Sequence, residues 1–130
     1  MYEKDALEFC KEWLSAWTGN QPEKLIDFYA KDAFYKDPAN PQGLKGHDEI
    51  LPYFRRLLER NPEWKWEAVE VYPTKNGFTL KWRAEIPVGS KVIEEEGMDI
   101  VEILFRKISR NEVYFDRTDW IEAVRESKWI

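Results

Sequence analysis

One cysteine, one histidine and two methionines are all that this chain of 130 residues contains, and the first two scarcities each remove a class of chemistry. With Cys10 alone there is no intrachain disulfide, and a reducing compartment is expected. His47 as the sole histidine leaves no multi-histidine metal site, so neither a metal nor a cofactor is expected. No serine–histidine–aspartate or cysteine–histidine nucleophile pattern occurs. A basic excess is missing too. The formal net charge is −5 with acids and bases interspersed, which argues against nucleic acid or an anionic membrane as a partner. No apolar run approaches membrane-spanning length, and Met1-Tyr2-Glu3-Lys4-Asp5 is too charged for a signal peptide; a cytoplasmic location is the expectation. Repeats, low-complexity tracts and linkers are absent, so 1–130 reads as one domain.

What the chain does have is aromatic mass. Seven Trp, six Tyr and seven Phe exceed what filling a core of this size requires. Broad, flat side chains with few rotatable bonds favour cavity walls and interfaces. An internal cavity or a buried dimer face is therefore expected.

Helical spacing comes first along the chain. Ala6, Cys10, Trp13 and Trp17 recur at helical intervals from Asp5 to Trp17, with Leu7, Phe9 and Leu14 widening the stripe. Thr18-Gly19 stops this helix. Asn20, with Glu23 three residues on and Pro22 in the first turn, starts a second helix running to about Ala30. A third is expected from Asp48 to Arg60, ended by Asn61-Pro62. Arg55, Arg56 and Arg60 on it read as a solvated face.

Strand patterns follow. Trp64, Trp66, Ala68 and Tyr72 alternate with Lys65, Glu67, Val69 and Val71. Asn76-Gly77 signals a hairpin. Phe78, Leu80, Trp82, Ala84 and Ile86 then alternate with polar residues, giving one buried face. Val92 to Ile108 reads as a long strand with Gly97 as a candidate bulge or bend, Glu94-Glu95-Glu96 as a solvated start, and Asp99, Val101, Ile103 and Phe105 on one face. Ser109 to Glu112 is expected to turn, and Val113 to about Trp120 to form the last strand. Helices first and a meander of strands after them mean an α+β fold.

The segment from Phe28 to Phe54 carries the sharpest functional question. Asp37 beside Pro38 sits among Phe34, Tyr35, Tyr53 and Phe54. It is either a turn acid, neutralised by Lys36, or an acid in an aromatic pocket. Surroundings that exclude water favour an uncharged carboxyl, which lets one group take and return a proton near neutrality. His47 is either a helix-entry surface residue or a hydrogen-bonding group facing a ligand across from Asp37. Gly43-Leu44-Lys45-Gly46 has the spacing of a phosphate-gripping loop, but without a basic surround it reads as a plain turn.

These residues together resemble the SnoaL-like polyketide cyclase group of the nuclear transport factor 2-like superfamily. The likeness rests on Trp17 through Asn20, Leu25 with Phe28-Tyr29 and Asp32, Tyr35-Lys36-Asp37-Pro38, and Gly43 with Gly46-His47-Asp48-Glu49-Ile50. Gly97-Met98-Asp99-Ile100-Val101 and Tyr114-Phe115-Asp116 complete it. It implies a cone-shaped fold, three N-terminal helices packed on a strongly curved antiparallel or mixed sheet, and a homodimer through the sheet. It also implies an apolar small molecule in the cone cavity. Asp37 matches the position of the proton-abstracting aspartate of the superfamily's steroid isomerases. Asp116 matches the acid–base aspartate of the cyclases, although the histidine of their His-Trp-Asp strand is Tyr114 here. The isomerases' enolate-holding tyrosine is replaced by Trp13 and Trp17, and Asp99 is a loose substitute for their acid.

The resulting candidates are Asp37 and Asp116 as catalytic groups, with Trp17, Tyr35, His47, Phe54, Asp99 and Tyr114 as ligand-binding residues. Asp116 could instead pair with Arg117 or Arg106 on the sheet surface. The activity implied is cofactor-free proton transfer on an apolar cyclic carbonyl compound. The rival is a non-catalytic dimeric binding module using Trp66 and Trp82 on the open sheet face. An Asp–Arg–Asp arrangement for dehydration or epoxide hydrolysis would need Arg83 or Arg106 inside, and both are expected to face outward.

Overall fold

The first helix forms where the apolar spacing places it. In a computed structural model, which describes residues 1–127, α1 spans Glu3–Ser15 and buries Ala6, Cys10, Trp13 and Leu14. Glu3 and Asp5 in its first turn complement the helix dipole. Gly19 and Asn20 take left-handed conformations that end this segment. Thr18 then donates to the Trp64 carbonyl at 2.5 Å. Burial, and next the Asp99 charge, push the Cys10 thiol up to about 12. Cys10 is therefore expected to resist thiol reagents in the native protein at about pH 8 and to react on unfolding, which a labelling time course reads.

Helix α2 is shorter than its sequence pattern. It spans Pro22–Ile26, starts from Gln21 without a side-chain cap, and gives way to strand β1, Tyr29–Asp37. Asn20 is not its cap. Phe28 and Tyr29 belong to the entry of a strand because Tyr29 pairs with Ile108. Strand β2, Asn40–Lys45, folds back on β1, and α3 spans Gly46–Arg60 with Ile50, Phe54 and Leu58 one turn apart on its buried face. The Gly43 to Gly46 segment is thus strand and helix entry. A Cβ at Gly43 would lie 2.3 Å from the Phe34 ring, so this strand packs closely only with glycine there.

The remaining strands are β3 (Lys65–Pro73), β4 (Gly77–Val88), β5 (Lys91–Leu104) and β6 (Lys107–Tyr114), followed by α4 (Thr118–Ser127). They form one six-stranded sheet in the order β2-β1-β6-β5-β4-β3, antiparallel throughout except for the parallel β1–β6 pair. The architecture is a curved mixed sheet, not closed into a barrel, with four helices. Helix α1 packs on β3, α3 on β1, and α4 on β4 and β5.

Several expectations change. The turn expected at Ser109 to Glu112 lies at Phe105 and Arg106, both left-handed, and Val101↔Asn111 is a regular strand pair. The expected final strand stops at Tyr114, and Trp120 belongs to α4. A bulge between Ala68 and Glu70 reverses the alternation of β3, turning Val71 inward and Tyr72 outward. Glu95 is not solvated: it is 9% exposed, and burial, then the Asp119 and Asp116 charges, raise its carboxyl. Gly97 is no bulge, since it pairs in register with Trp82. Its missing side chain makes room instead. A Cβ there would lie 2.3 Å from the Trp82 ring and 2.8 Å from Phe115 Cβ. Gly97→Ala should cost about 1–2 kcal/mol by overpacking, read by chemical denaturation and by altered tryptophan fluorescence.

Candidate functional site

The concave face of the sheet collects the aromatic residues that sequence alternation turns inward. Trp82 on β4, Trp66 on β3 and Phe115 just after β6 meet there, joined by Trp17 from the end of α1, Trp64, and Trp120 from α4. They contact one another edge to face: Trp66–Trp82 at 4.8 Å between ring centres, Trp64–Trp66 at 5.3 Å, Trp82–Phe115 at 5.4 Å and Trp64–Trp120 at 5.5 Å. Between them lies a cavity of about 50 Å³, room for about four waters. Tyr35, Tyr53, Asp37 and Asp99 supply its polar wall.

Asp37 turns out to be both a turn acid and a pocket acid. Its Oδ1 accepts from the backbone N–H groups of Ala39 and Asn40 and from Asn40 Nδ2, all at 2.9 Å, which fixes the tight turn between β1 and β2. Its Oδ2 accepts the Tyr35 hydroxyl at 2.8 Å and the Tyr53 hydroxyl at 2.5 Å. Those five bonds fill the roughly four lone-pair sites of a carboxylate. Burial, and next the Asp37 charge, push both phenols well above their ordinary range, so they remain donors. Asp37 is saturated with donors at the cavity wall, where it braces the turn and the two tyrosines. Lys36 does not neutralise it, since its Nζ sits over the Tyr114 ring on the other side of the sheet.

Asp99 is differently placed. It is 4% exposed, and it accepts from Trp82 Nε1 at 2.7 Å and from Asn111 Nδ2 at 3.0 Å. Asn111 is itself buried and accepts the Tyr29 hydroxyl at 2.8 Å. Two neutral donors do not offset the loss of water. Burial, aided by the Asp37 charge and opposed by the two hydrogen bonds, lifts the Asp99 carboxyl to about 7. Such a group exists in both protonation states near neutrality.

The other candidates scatter. Asp116 is exposed and its Oδ1 accepts from Thr118 N at 3.0 Å and Thr118 Oγ1 at 2.5 Å, bonds that hold its carboxyl below the ordinary range. It sits at the start of α4, outside the cavity, because Val113 and Phe115 hold the inward positions of that alternation. It forms no ion pair with Arg117 or Arg106. Tyr114 is 47% exposed and donates to Glu112 on the outer face. His47 Nε2 lies 2.8 Å from the Tyr29 carbonyl oxygen, tying the start of α3 to β1 rather than facing a ligand. Phe54 is fully buried behind Trp17 and Tyr35, at 5.2 Å from each ring. Trp17 and Tyr35 line the cavity as expected. Trp82 is buried and lines the cavity, while Trp66 lines it and also borders two grooves on the outside. Arg83 and Arg106 are exposed.

Sequence reasoning missed Trp64, Phe115 and Trp120 as wall residues, and named Tyr53 only as a neighbour of Asp37. The alternation of Val113, Phe115 and Arg117 already carried the signal for Phe115. Trp120 carried none while its segment read as a strand. The indole N–H groups of Trp13, Trp64 and Trp66 are buried without an acceptor. Among the described residues, no group of three or more potential ligands could hold a metal ion, and no helix is long and apolar enough to cross a membrane.

The model of a family described as a SnoaL-like domain matches residues 10–111. The chain belongs to the SnoaL-like domain family. No curated protein matches it in sequence. Solved structures do match in shape. A SnoaL-like protein of unknown function from Burkholderia thailandensis shares 18% identity, with 89% of this chain and 98% of the other covered, at a TM-score of 0.74. A Catenulispora acidiphila protein with a ketosteroid isomerase-like fold, in complex with trimethylamine, shares 17% over 95% and 97% at 0.78. A SnoaL-like polyketide cyclase, so described, from a Jannaschia species shares 10% over 94% and 92% at 0.77. The SnoaL-like domain thus adopts the expected nuclear transport factor 2-like cone, with one more helix, α4, than the expected three.

Proposed function

We propose that this protein binds a compact small molecule in its aromatic cavity and that Asp99 is the group able to exchange a proton with it. The observation that carries this reading is a carboxyl, 4% exposed and lifted by burial to about 7, in the wall of an aromatic cavity. Removal of water is the physical device that tunes a carboxylic acid for work near neutrality. Asp37, Tyr35 and Tyr53 form a braced part of the same polar wall. The cavity volume favours a small ligand over a polycyclic one, and trimethylamine in the Catenulispora protein is of that size class.

A second reading is cofactor-free isomerisation or cyclisation of an apolar cyclic carbonyl compound, with ionised Asp99 removing a proton beside the carbonyl. The near-neutral carboxyl favours it, as does the polyketide cyclase description of the Jannaschia protein. Against it, the Tyr35 and Tyr53 hydroxyls are engaged with Asp37 and so do not serve a developing oxyanion. A homodimer through the outer sheet face remains part of the proposal. Met98 and Tyr114, paired across β5 and β6, are both exposed there, and sedimentation would read it.

A thermal-shift screen of compact amines, cyclic ketones and aromatic acids separates these readings, run on the native protein, Asp99→Asn and Asp116→Asn. The expected result is a stabilising compound whose effect shrinks in Asp99→Asn and persists in Asp116→Asn. Stabilisation indifferent to Asp99→Asn would remove Asp99 from recognition. Loss of deuterium exchange beside a ketone carbonyl in Asp99→Asn would favour the second reading.

A further inference from the structure

The cavity's ring faces and its two carboxyl groups share one electrostatic sign, and the unpaired N–H groups of Trp64 and Trp66 carry the other. Five indoles line the cavity, from Trp17, Trp64, Trp66, Trp82 and Trp120, contributed by different parts of the chain. The face of an aromatic ring is the negative end of its quadrupole, and indole binds cations best. Two carboxyl groups, Asp37 and Asp99, stand in the same wall, 7% and 4% exposed. Among the described residues neither forms an ion pair, and the nearby Arg117, whose field is felt at Tyr53, pairs with neither. The hydrogen bonds to Asp37 and Asp99 come from neutral donors, so they orient the carboxylates without cancelling charge. A buried Asp99 carboxylate with only two neutral donors is costly, and a positive occupant offsets that cost.

A neutral carbonyl oxygen would find donors only in the unpaired N–H groups of Trp64 and Trp66 and would leave both carboxylates unanswered. An anion would fare worse. A metal ion would need convergent oxygen or nitrogen ligands, and no such group exists among the described residues. A cation sheathed in methyl or methylene groups suits the ring faces and the carboxyl groups together: its carbons pack on the indoles while its charge answers the aspartates.

We propose that the cavity's ligand is a compact organic cation, a protonated tertiary or a quaternary ammonium group, held by the indoles with Asp37 and Asp99 as counter-charges. This deepens the small-molecule reading of the same cavity and rests on it. A protonated tertiary amine would donate its N–H to Asp99, and transfer of that proton leaves neutral amine and neutral acid. A quaternary ammonium would bind without transfer.

The decisive comparison is choline against dimethylbutanol, its neutral isostere with carbon in place of nitrogen. Both are titrated into the native protein by calorimetry and tryptophan fluorescence at about pH 8, at matched ionic strength. Choline should bind at least about 10-fold more tightly, the scale of one or two desolvated cation–π contacts. Asp99→Asn should weaken choline by about 10-fold and leave dimethylbutanol unchanged. Trp120→Ala, on a helix at the edge of the fold, should weaken choline while the chain stays folded. Equal or tighter binding of dimethylbutanol would overturn the cation inference and leave the cavity reading standing. Failure of both compounds to bind or to perturb the indoles would overturn the two together.

Discussion

Asp99→Asn should raise stability at about pH 8 by roughly 2–4 kcal/mol and flatten its pH dependence between about pH 4 and pH 8. In the folded chain the Asp99 carboxyl titrates at about 7, against an ordinary value of 3.8. A raised carboxyl keeps its proton when folded at pH values where the unfolded chain has lost it. Its favourable contribution is therefore complete below the unfolded value and is lost as pH rises through about 7. That gap corresponds to about 4 kcal/mol at most. The groups facing Asp99 are Trp82 from β4, Asn111 from β6 with Tyr29 of β1 behind it, Cys10 from α1, and Asp37 in the same polar wall. An amide stays neutral at every pH. Its oxygen still accepts from Trp82, and its NH₂ can meet a rotated Asn111. Denaturant unfolding of both proteins across that pH range reads the difference. A native curve that is flat, with the variant less stable at high pH, would contradict the assignment.

Asp37→Ala should act in the opposite direction, lowering stability by about 2–4 kcal/mol at neutral pH. The change leaves the buried Tyr35 hydroxyl without its acceptor and frees the Ala39 and Asn40 N–H groups that set the turn. A buried donor left unpaired costs about 1–3 kcal/mol, and loss of the turn anchor adds to it. Asp37→Asn should cost less, since one amide oxygen can still anchor the turn. The two cavity carboxylates therefore separate by sign: one is favourable because it is saturated with donors, the other unfavourable because it is not. Equal loss in both variants would mean that the difference in hydrogen bonding carries no energetic weight.

The fold was legible wherever a single period decided an element. Ala6, Cys10 and Trp13 marked α1, Ile50 and Phe54 lie on α3, and the alternation of Phe78 to Ile86 marked β4, all of which stand in the structure. Errors came where the pattern admitted two periods. Thr118 to Trp120 continued the alternation of β6 yet begins α4, whose buried Ala123 lies beyond that alternation. The bulge in β3 flipped Val71 and Tyr72, because one inserted residue reverses every side chain beyond it. Asp116 failed for the related reason that its neighbour Phe115 holds the inward position.

The site was half legible. Trp17, Tyr35 and Asp37 were named and line the cavity, and Asp99 was named as a loose substitute when it is the buried, near-neutral acid. What sequence could not give was the count of donors on each carboxylate. Asp37 receives five bonds partly because Pro38 and Ala39 make so tight a turn that two backbone N–H groups reach it. Asp99 receives two because its own strand partners, Leu80 and Val113, are apolar and only the diagonal Trp82 and Asn111 reach it.

The measurement closest to the site's chemistry is a pH titration of the Asp99 carboxyl carbon by NMR, with Asp99→Asn identifying the resonance. An inflection near pH 7 is expected, well above the ordinary 3.8. An inflection at or below about pH 4 would show a solvated or fully paired carboxylate, and would contradict Asp99 as the proton-exchanging group of the cavity.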